Sequence, residues 1–184
     1  AEVRYRPVYH ELLDNPRGYE PGSGIVFGEF TFRYYPDPED FQLEELTLIE
    51  IVSLAPRNRF FAQRSWQVDT GFKRRLTSKG ERSLVYDFRY GLGWTWQNRI
   101  PGMWYVVPEL DVQLGGALDD NHSIGLGGTA GVLKRLTRRW QAHLFATQTW
   151  YGLGERDTIF RGGLGQNFEL APNWSLRADV TRSL

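Results

Sequence analysis

From Leu84 onward the chain alternates for more than a dozen residues. Leu84, Tyr86, Phe88, Tyr90, Leu92, Trp94 and Trp96 are apolar or aromatic, while Asp87, Arg89, Gly91, Gly93, Thr95 and Gln97 between them are charged, polar or small. Successive side chains of a strand point to opposite faces, so this pattern predicts a strand with one dry face and one wet face. After a break at Asn98–Gly102 the alternation resumes. Trp104, Val106, Pro108, Leu110, Val112 and Leu114 stand against Tyr105, Val107, Glu109, Asp111, Gln113 and Gly115. Two strands joined so closely make a hairpin, and each exceeds the usual strand of about five or six residues.

The same period recurs on both sides of this hairpin. Upstream, Ala1–Leu13 reads as a strand with Val3, Tyr5 and Pro7 on one face. Gly24–Tyr35 sets Val26, Phe30, Phe32 and Tyr34 against Glu29, Thr31 and Arg33. Phe41–Leu54 is ambiguous because Glu44, Glu45 and Glu50 do not share one parity, but Thr47, Ile49, Ile51 and Val52 favour a strand. Ala62–Leu76 places Trp66, Val68, Thr70 and Phe72 opposite Gln67, Asp69, Gly71 and Lys73. Downstream, strands are predicted over His122–Thr137, Trp140–Gly154 and Thr158–Leu170, and a last one carries Leu176, Ala178 and Val180 against Arg177, Asp179 and Thr181. Turn residues separate all of these segments. About ten strands, within a range of eight to twelve, and no convincing helix predict an antiparallel up-and-down meander. Closing it into a barrel removes the two exposed edges.

Two kinds of barrel share this alternation. A soluble, lipocalin-like barrel turns its apolar set inward; an outer-membrane barrel turns it outward around a polar lumen. Three features favour the second. Opposed charges sit in the polar set: Asp69, Asp87, Arg89, Glu109, Asp111, Arg161, Glu169, Arg177 and Asp179. Glycines share that set at Gly71, Gly91, Gly93, Gly115, Gly163 and Gly165, where small residues relieve crowding against long Arg and Glu side chains. Trp66, Trp94, Trp96, Trp104, Trp140, Trp150 and Trp174 lie near segment ends, as do Tyr34, Tyr35 and Tyr151. Aromatic rings with a polar N–H or O–H collect at the membrane–water boundary. The fold class expected for residues 1–184 is therefore a single all-β, closed antiparallel transmembrane β-barrel of the bacterial outer membrane.

Composition changes this picture little. Twenty-two Lys and Arg balance 22 Asp and Glu, so charge gives no reason to expect a nucleic-acid partner. The absence of cysteine excludes a cysteine nucleophile, a thiolate zinc site and disulfides within this chain. No apolar run approaches the roughly 18 residues of a membrane helix.

Several stretches resemble a known family. They are His10-Glu11-Leu12-Leu13-Asp14, Gly18-Tyr19, Ser53-Leu54-Ala55-Pro56-Arg57-Asn58-Arg59-Phe60-Phe61, Ser65-Trp66, Gly115-Gly116-Ala117-Leu118-Asp119-Asp120 and Gly165-Gln166. Together they resemble the C-terminal β-barrel region of bacterial proteins that carry a Lnb-type periplasmic domain. The resemblance implies an outer-membrane barrel whose papain-like periplasmic domain precedes Ala1, and it supplies no catalytic residue.

Candidate chemistry is thin. His10-Glu11 lacks the second His four residues on that a zinc helix requires, since position 14 is Asp. His122 and Ser123 are adjacent on a strand and point apart. Gly125–Gly131 lacks the strand–helix setting of a dinucleotide loop. His143, in the polar set, is the one weak catalytic candidate. No metal site and no cofactor are expected. Arg57, Arg59, Arg138 and Arg139 fall in turns within reach of lipopolysaccharide or phospholipid headgroups. The expected role is an anchor or scaffold with a plugged lumen, its partners the bilayer, lipopolysaccharide and a periplasmic domain or protein. The rivals are an outer-membrane lipid hydrolase or acyltransferase and a soluble barrel for an apolar ligand.

Overall fold

A computed structural model describes residues 2–14, 20–37, 39–58, 62–77, 80–97, 102–171 and 174–183, the side chains of residues 2, 171, 174, 175 and 183 excepted. Gly18, Tyr19, Arg59, Phe60, Phe61 and the Trp174 side chain lie outside the described set. The strands are β1 (Glu2–Tyr5), β2 (Val8–His10), β3 (Ser23–Pro36), β4 (Glu39–Ser53), β5 (Ser65–Leu76), β6 (Arg82–Gln97), β7 (Gly102–Leu114), β8 (His122–Arg135), β9 (Trp140–Gly154), β10 (Asp157–Ala171) and β11 (Trp174–Ser183). They form one antiparallel sheet in which each strand from β3 to β10 pairs with the next. β1 and β2 both pair with β3 and act as two halves of one strand, so ten positions run around the sheet. One short 3-10 turn, Asp119–Asn121, interrupts the all-β pattern.

The sheet curls around a central cavity of about 590 Å³ whose lining includes Arg4 and Arg6 from one end of the sheet and Arg177 and Asp179 from the other. The turn that follows β2 also touches β10 and β11. Asn167 Nδ2 donates to the Leu13 carbonyl at 2.8 Å, and Glu11 forms an ion pair with Arg177. Among the described residues no backbone ladder joins β11 to β1 or β2.

The alternation runs opposite to that of a soluble domain. Along β7, Trp104, Val106, Pro108, Leu110 and Leu114 are exposed on the outer wall, whereas Tyr105, Val107, Glu109, Asp111 and Gln113 are buried inside. Asp111 is 0% and Asp87 2% exposed, while Leu126 is 66% and Leu176 65% exposed. The apolar set faces outward and the polar set inward, the reverse of a soluble domain.

Two local features shift the expected phase. Gly28 adopts φ 71°, a left-handed conformation that glycine takes without steric cost. It changes the parity of β3, so Val26 turns inward and is 6% exposed instead of joining Phe30, Phe32 and Tyr34 outside. In β4 the pairing with β3 skips Glu44, and the pairing with β5 skips Leu48. Each extra residue is a bulge that resets which side chains point inward. The two bulges explain why Glu44, Glu45 and Glu50 share no parity.

Several glycines of the inner face make room for inward aromatic rings. A Cβ on Gly131 would lie 2.6 Å from the Tyr105 ring, one on Gly125 2.8 Å from Tyr151, and one on Gly163 2.5 Å from Phe145. Of the six glycines expected to relieve crowding, a Cβ on Gly91 would lie 3.0 Å from Glu109 and one on Gly165 2.7 Å from Asp179, whereas Gly71 and Gly93 lie against backbone and Gly115 against Val85. Tyr151 is one of the inward rings, 4% exposed, and does not stand at a strand-end boundary with Tyr34.

Candidate functional site: the polar interior

The interior is organised in cross-strand rows, because paired residues of neighbouring strands share a face. One row runs Asp69–Arg89–Asp111 across β5, β6 and β7, and another runs Gln67–Gly91–Glu109. Arg89 donates to Asp111 from Nη2 at 2.9 Å and from Nε at 3.1 Å, and its Nε lies 3.6 Å from Glu109. Gln67 Nε2 donates to Glu109 at 2.6 Å. Lys73, two residues below Gly71 on the same face, pairs with Asp69 and reaches Asp87 and Glu45 at 3.8 Å each. A buried carboxylate needs a cation and hydrogen bonds to stay charged, and these rows supply both.

The lower end of the lumen has its own closure. Arg75 contacts Glu155 at 3.3 Å and Asp157 at 3.0 Å, hydrogen-bonds Gln113, and lies 5.5 Å over the Tyr151 ring. Gln113 in turn donates to the Tyr151 hydroxyl at 3.0 Å. At the upper end an apolar stopper enters the mouth. Glu11–Asp14 forms a tight turn in which the Asp14 amide donates to the Glu11 carbonyl at 2.9 Å and the Glu11 amide to Asp14 Oδ2 at 2.8 Å. This turn drives Leu13 against Met103 and Leu133, and Leu12 against Leu54, Tyr105 and Val107. Burial there pushes the Asp14 carboxyl up, against the opposing pull of His10 and Arg6.

The expected charge network is thus distributed unevenly. Asp69, Asp87, Arg89, Glu109 and Asp111 form one cluster, and Arg177 pairs with Asp179 and Glu11 beside β10. Arg161 lines the cavity but has no ion-pair partner among the described residues, and Glu169 lies outside the cavity lining. Lys73, Glu29, Arg4, Arg6 and Arg75 were not singled out by sequence reasoning. For Lys73 the signal was available, since it shares the parity of Asp69.

The weak catalytic candidate, His143, lines the cavity and shares a 2.8 Å hydrogen bond between its Nε2 and the Tyr105 hydroxyl. Its ring stacks on Phe145 at 5.2 Å. The buried serines are engaged elsewhere: Ser65 with Thr95 at 2.7 Å, and Ser123 donating to the Glu155 carbonyl at 2.6 Å. His122 bonds the Asp120 carbonyl at 2.8 Å, on the other face from Ser123. No group of three His, Asp or Glu side chains suited to a metal ion occurs among the described residues. Of the tryptophans, Trp66, Trp94, Trp96, Trp104 and Trp140 ring the end of the sheet that carries connectors 54–64, 98–101 and 136–139, with Trp96 stacked on Trp104 at 4.3 Å. Trp150 lies toward the opposite end.

The fold and the interior together define an antiparallel β-barrel-like protein with an apolar outer wall and a charged core. Residues 1–183 match a family described as a domain of unknown function, DUF7840, and the chain belongs to it. No curated protein and no solved structure matches the chain.

Proposed function

We propose that this chain is an outer-membrane β-barrel whose ten strand positions close by pairing β11 with β1 and β2, and whose lumen is occluded. The observation that carries the reading is the inverted burial: Asp87, Glu109 and Asp111 inside, Leu110, Leu126, Leu144 and Leu176 outside. A wall of that kind in water would expose far more contiguous apolar surface than monomeric soluble proteins carry. In a bilayer the same wall is matched to its solvent. Strands β3 to β10, of 12 to 16 residues, exceed the roughly 9–11 needed to cross tilted. Lipid also demands that every backbone N–H be paired within the protein, which favours joining the two ends of the sheet. The Glu11–Arg177 and Asn167–Leu13 contacts, which tie the turn after β2 to β11 and β10, support that closure.

In this reading the barrel holds a periplasmic domain at the membrane, as the family resemblance implies, and performs no chemistry itself. The polar interior does not suit an apolar ligand. The lipid-hydrolase alternative lacks a serine next to His143 among the described residues. The test is refolding of the purified chain with and without detergent or preformed lipid vesicles. The expected result is a β-rich, monomeric state that forms only with detergent or lipid and inserts into vesicles. A monomeric, folded chain in plain buffer that does not enter vesicles overturns the proposal.

A further inference from the structure

The two ends of the sheet differ in how their cations are satisfied. At the lower end, where connectors 37–38, 77–81, 115–121 and 155–156 lie, most basic side chains meet carboxylates. Glu44 gathers Arg33 at 3.9 Å, Arg74 at 3.7 Å and Arg82 at 3.0 Å, and Arg75 pairs with Glu155 and Asp157. At the upper end, Arg57, Arg64, Lys134, Arg135, Arg138 and Arg139 are all exposed, and none forms an ion pair or side-chain hydrogen bond with a described residue. The Arg57 amide donates to the Thr95 carbonyl at 2.9 Å, which lays the β4–β5 connector over the top of β6, and β7 leads on to the turn between β8 and β9. Trp66, Trp94, Trp96, Trp104 and Trp140 lie on these same strands toward that rim.

We infer that this upper rim binds the phosphate groups of lipopolysaccharide. The inference rests on the membrane reading above and specifies its partner. Unpaired guanidinium groups above a tryptophan belt match an amphiphile with anionic phosphates on top and acyl chains below. Arginine's planar donors suit phosphate oxygens, and tryptophan suits the boundary just beneath. The two longest connectors, 11–22 and 54–64, both join strand ends at this rim, and outer-membrane barrels carry their longer loops on the outside and short turns on the periplasmic side. That orientation sets the basic arc in the outer leaflet, whose phosphorylated lipid is lipopolysaccharide rather than phospholipid.

The test compares the native chain with a variant carrying Arg57→Gln, Arg64→Gln, Lys134→Gln, Arg138→Gln and Arg139→Gln, and with a lower-end control, Arg156→Gln with Arg182→Gln. Insertion of each into phosphatidylcholine bilayers is measured first. Binding of purified lipopolysaccharide, of its dephosphorylated form and of phosphatidylglycerol is then measured in detergent at two salt concentrations. The expected result is normal insertion of all three, with about tenfold or greater loss of lipopolysaccharide affinity and a flatter salt dependence in the upper-rim variant alone. Insertion with equal affinity in native and variant forms, or indifference to dephosphorylation, overturns the proposal. Tighter binding of phosphatidylglycerol overturns the choice of lipopolysaccharide. Failure of the native chain to insert overturns the membrane reading itself.

Discussion

Replacing Arg89 by Met tests the interior most sharply. The substitution keeps the length of the side-chain stem and removes only the guanidinium. Arg89 stands between Asp69 and Asp111 in the cross-strand row and touches Asp111 at 2.9 Å and Glu109 at 3.6 Å. Asp111 is fully buried, and Arg89 is its only ion-pair partner among the described residues. With Arg89 gone, Lys73 remains the one cation against Asp69, Asp87, Glu109 and Asp111, and it touches neither Glu109 nor Asp111. Leaving one partner of a buried ion pair uncompensated costs about 3–5 kcal/mol. The Arg89 side chain is 15% exposed, so solvent screens this little. Asp111→Leu alone should cost a comparable amount. The double variant should recover much of the loss, because the pair itself stabilises far less than its breakage costs. The assay is urea unfolding of vesicle-inserted protein followed by tryptophan fluorescence, closed as a double-mutant cycle. A single Arg89→Met variant within about 0.5 kcal/mol of the native chain would refute a buried, charge-paired interior, since only surface substitutions are that mild.

Three further outcomes are expected. Phe88→Arg, near the middle of β6 on the outer wall, should destabilise the inserted barrel by roughly 2–4 kcal/mol, checked by the same unfolding assay. Planar-bilayer recording should show no large steady current from the native chain, and replacing Leu12 and Leu13 by Ser should raise conductance by loosening the stopper against Leu54, Met103 and Leu133. Gly131→Val should drive a side chain into the Tyr105 ring and cost about 1–3 kcal/mol, read as a lower urea midpoint.

How much of this was legible in the chain depends on the element. The β6–β7 hairpin read correctly residue by residue, because its ladder keeps one register from Tyr86↔Leu114 to Gln97↔Met103 and alternation maps directly onto faces. β4 did not read cleanly, because its bulges at Glu44 and Leu48 lie in pairing with neighbours that a single strand's pattern does not reveal. Val26 was assigned to the wrong face because a glycine in a strand carries no sign of which φ it will take. The charged set was visible as parity. Its pairing was not: Asp87 meets Lys73 instead of an arginine, and Arg161 has no described partner. Partner choice depends on register across three strands. The Leu12–Leu13 stopper was invisible for another reason: Ala1–Leu13 reads as one strand, whereas β2 ends at His10 and the Glu11–Asp14 turn carries the two leucines into the mouth.

The central claim is that the apolar wall faces lipid. Spin labels placed singly at Phe88, Leu110 and Leu176, and at Asp87 and Asp111 on the inner face, in vesicle-reconstituted protein answer it directly. Relaxation by oxygen, which concentrates in lipid, should be strong at the first three and weak at the last two. Weak oxygen relaxation at Phe88, Leu110 and Leu176, with labels there immobilised as in a packed protein core, would contradict the account.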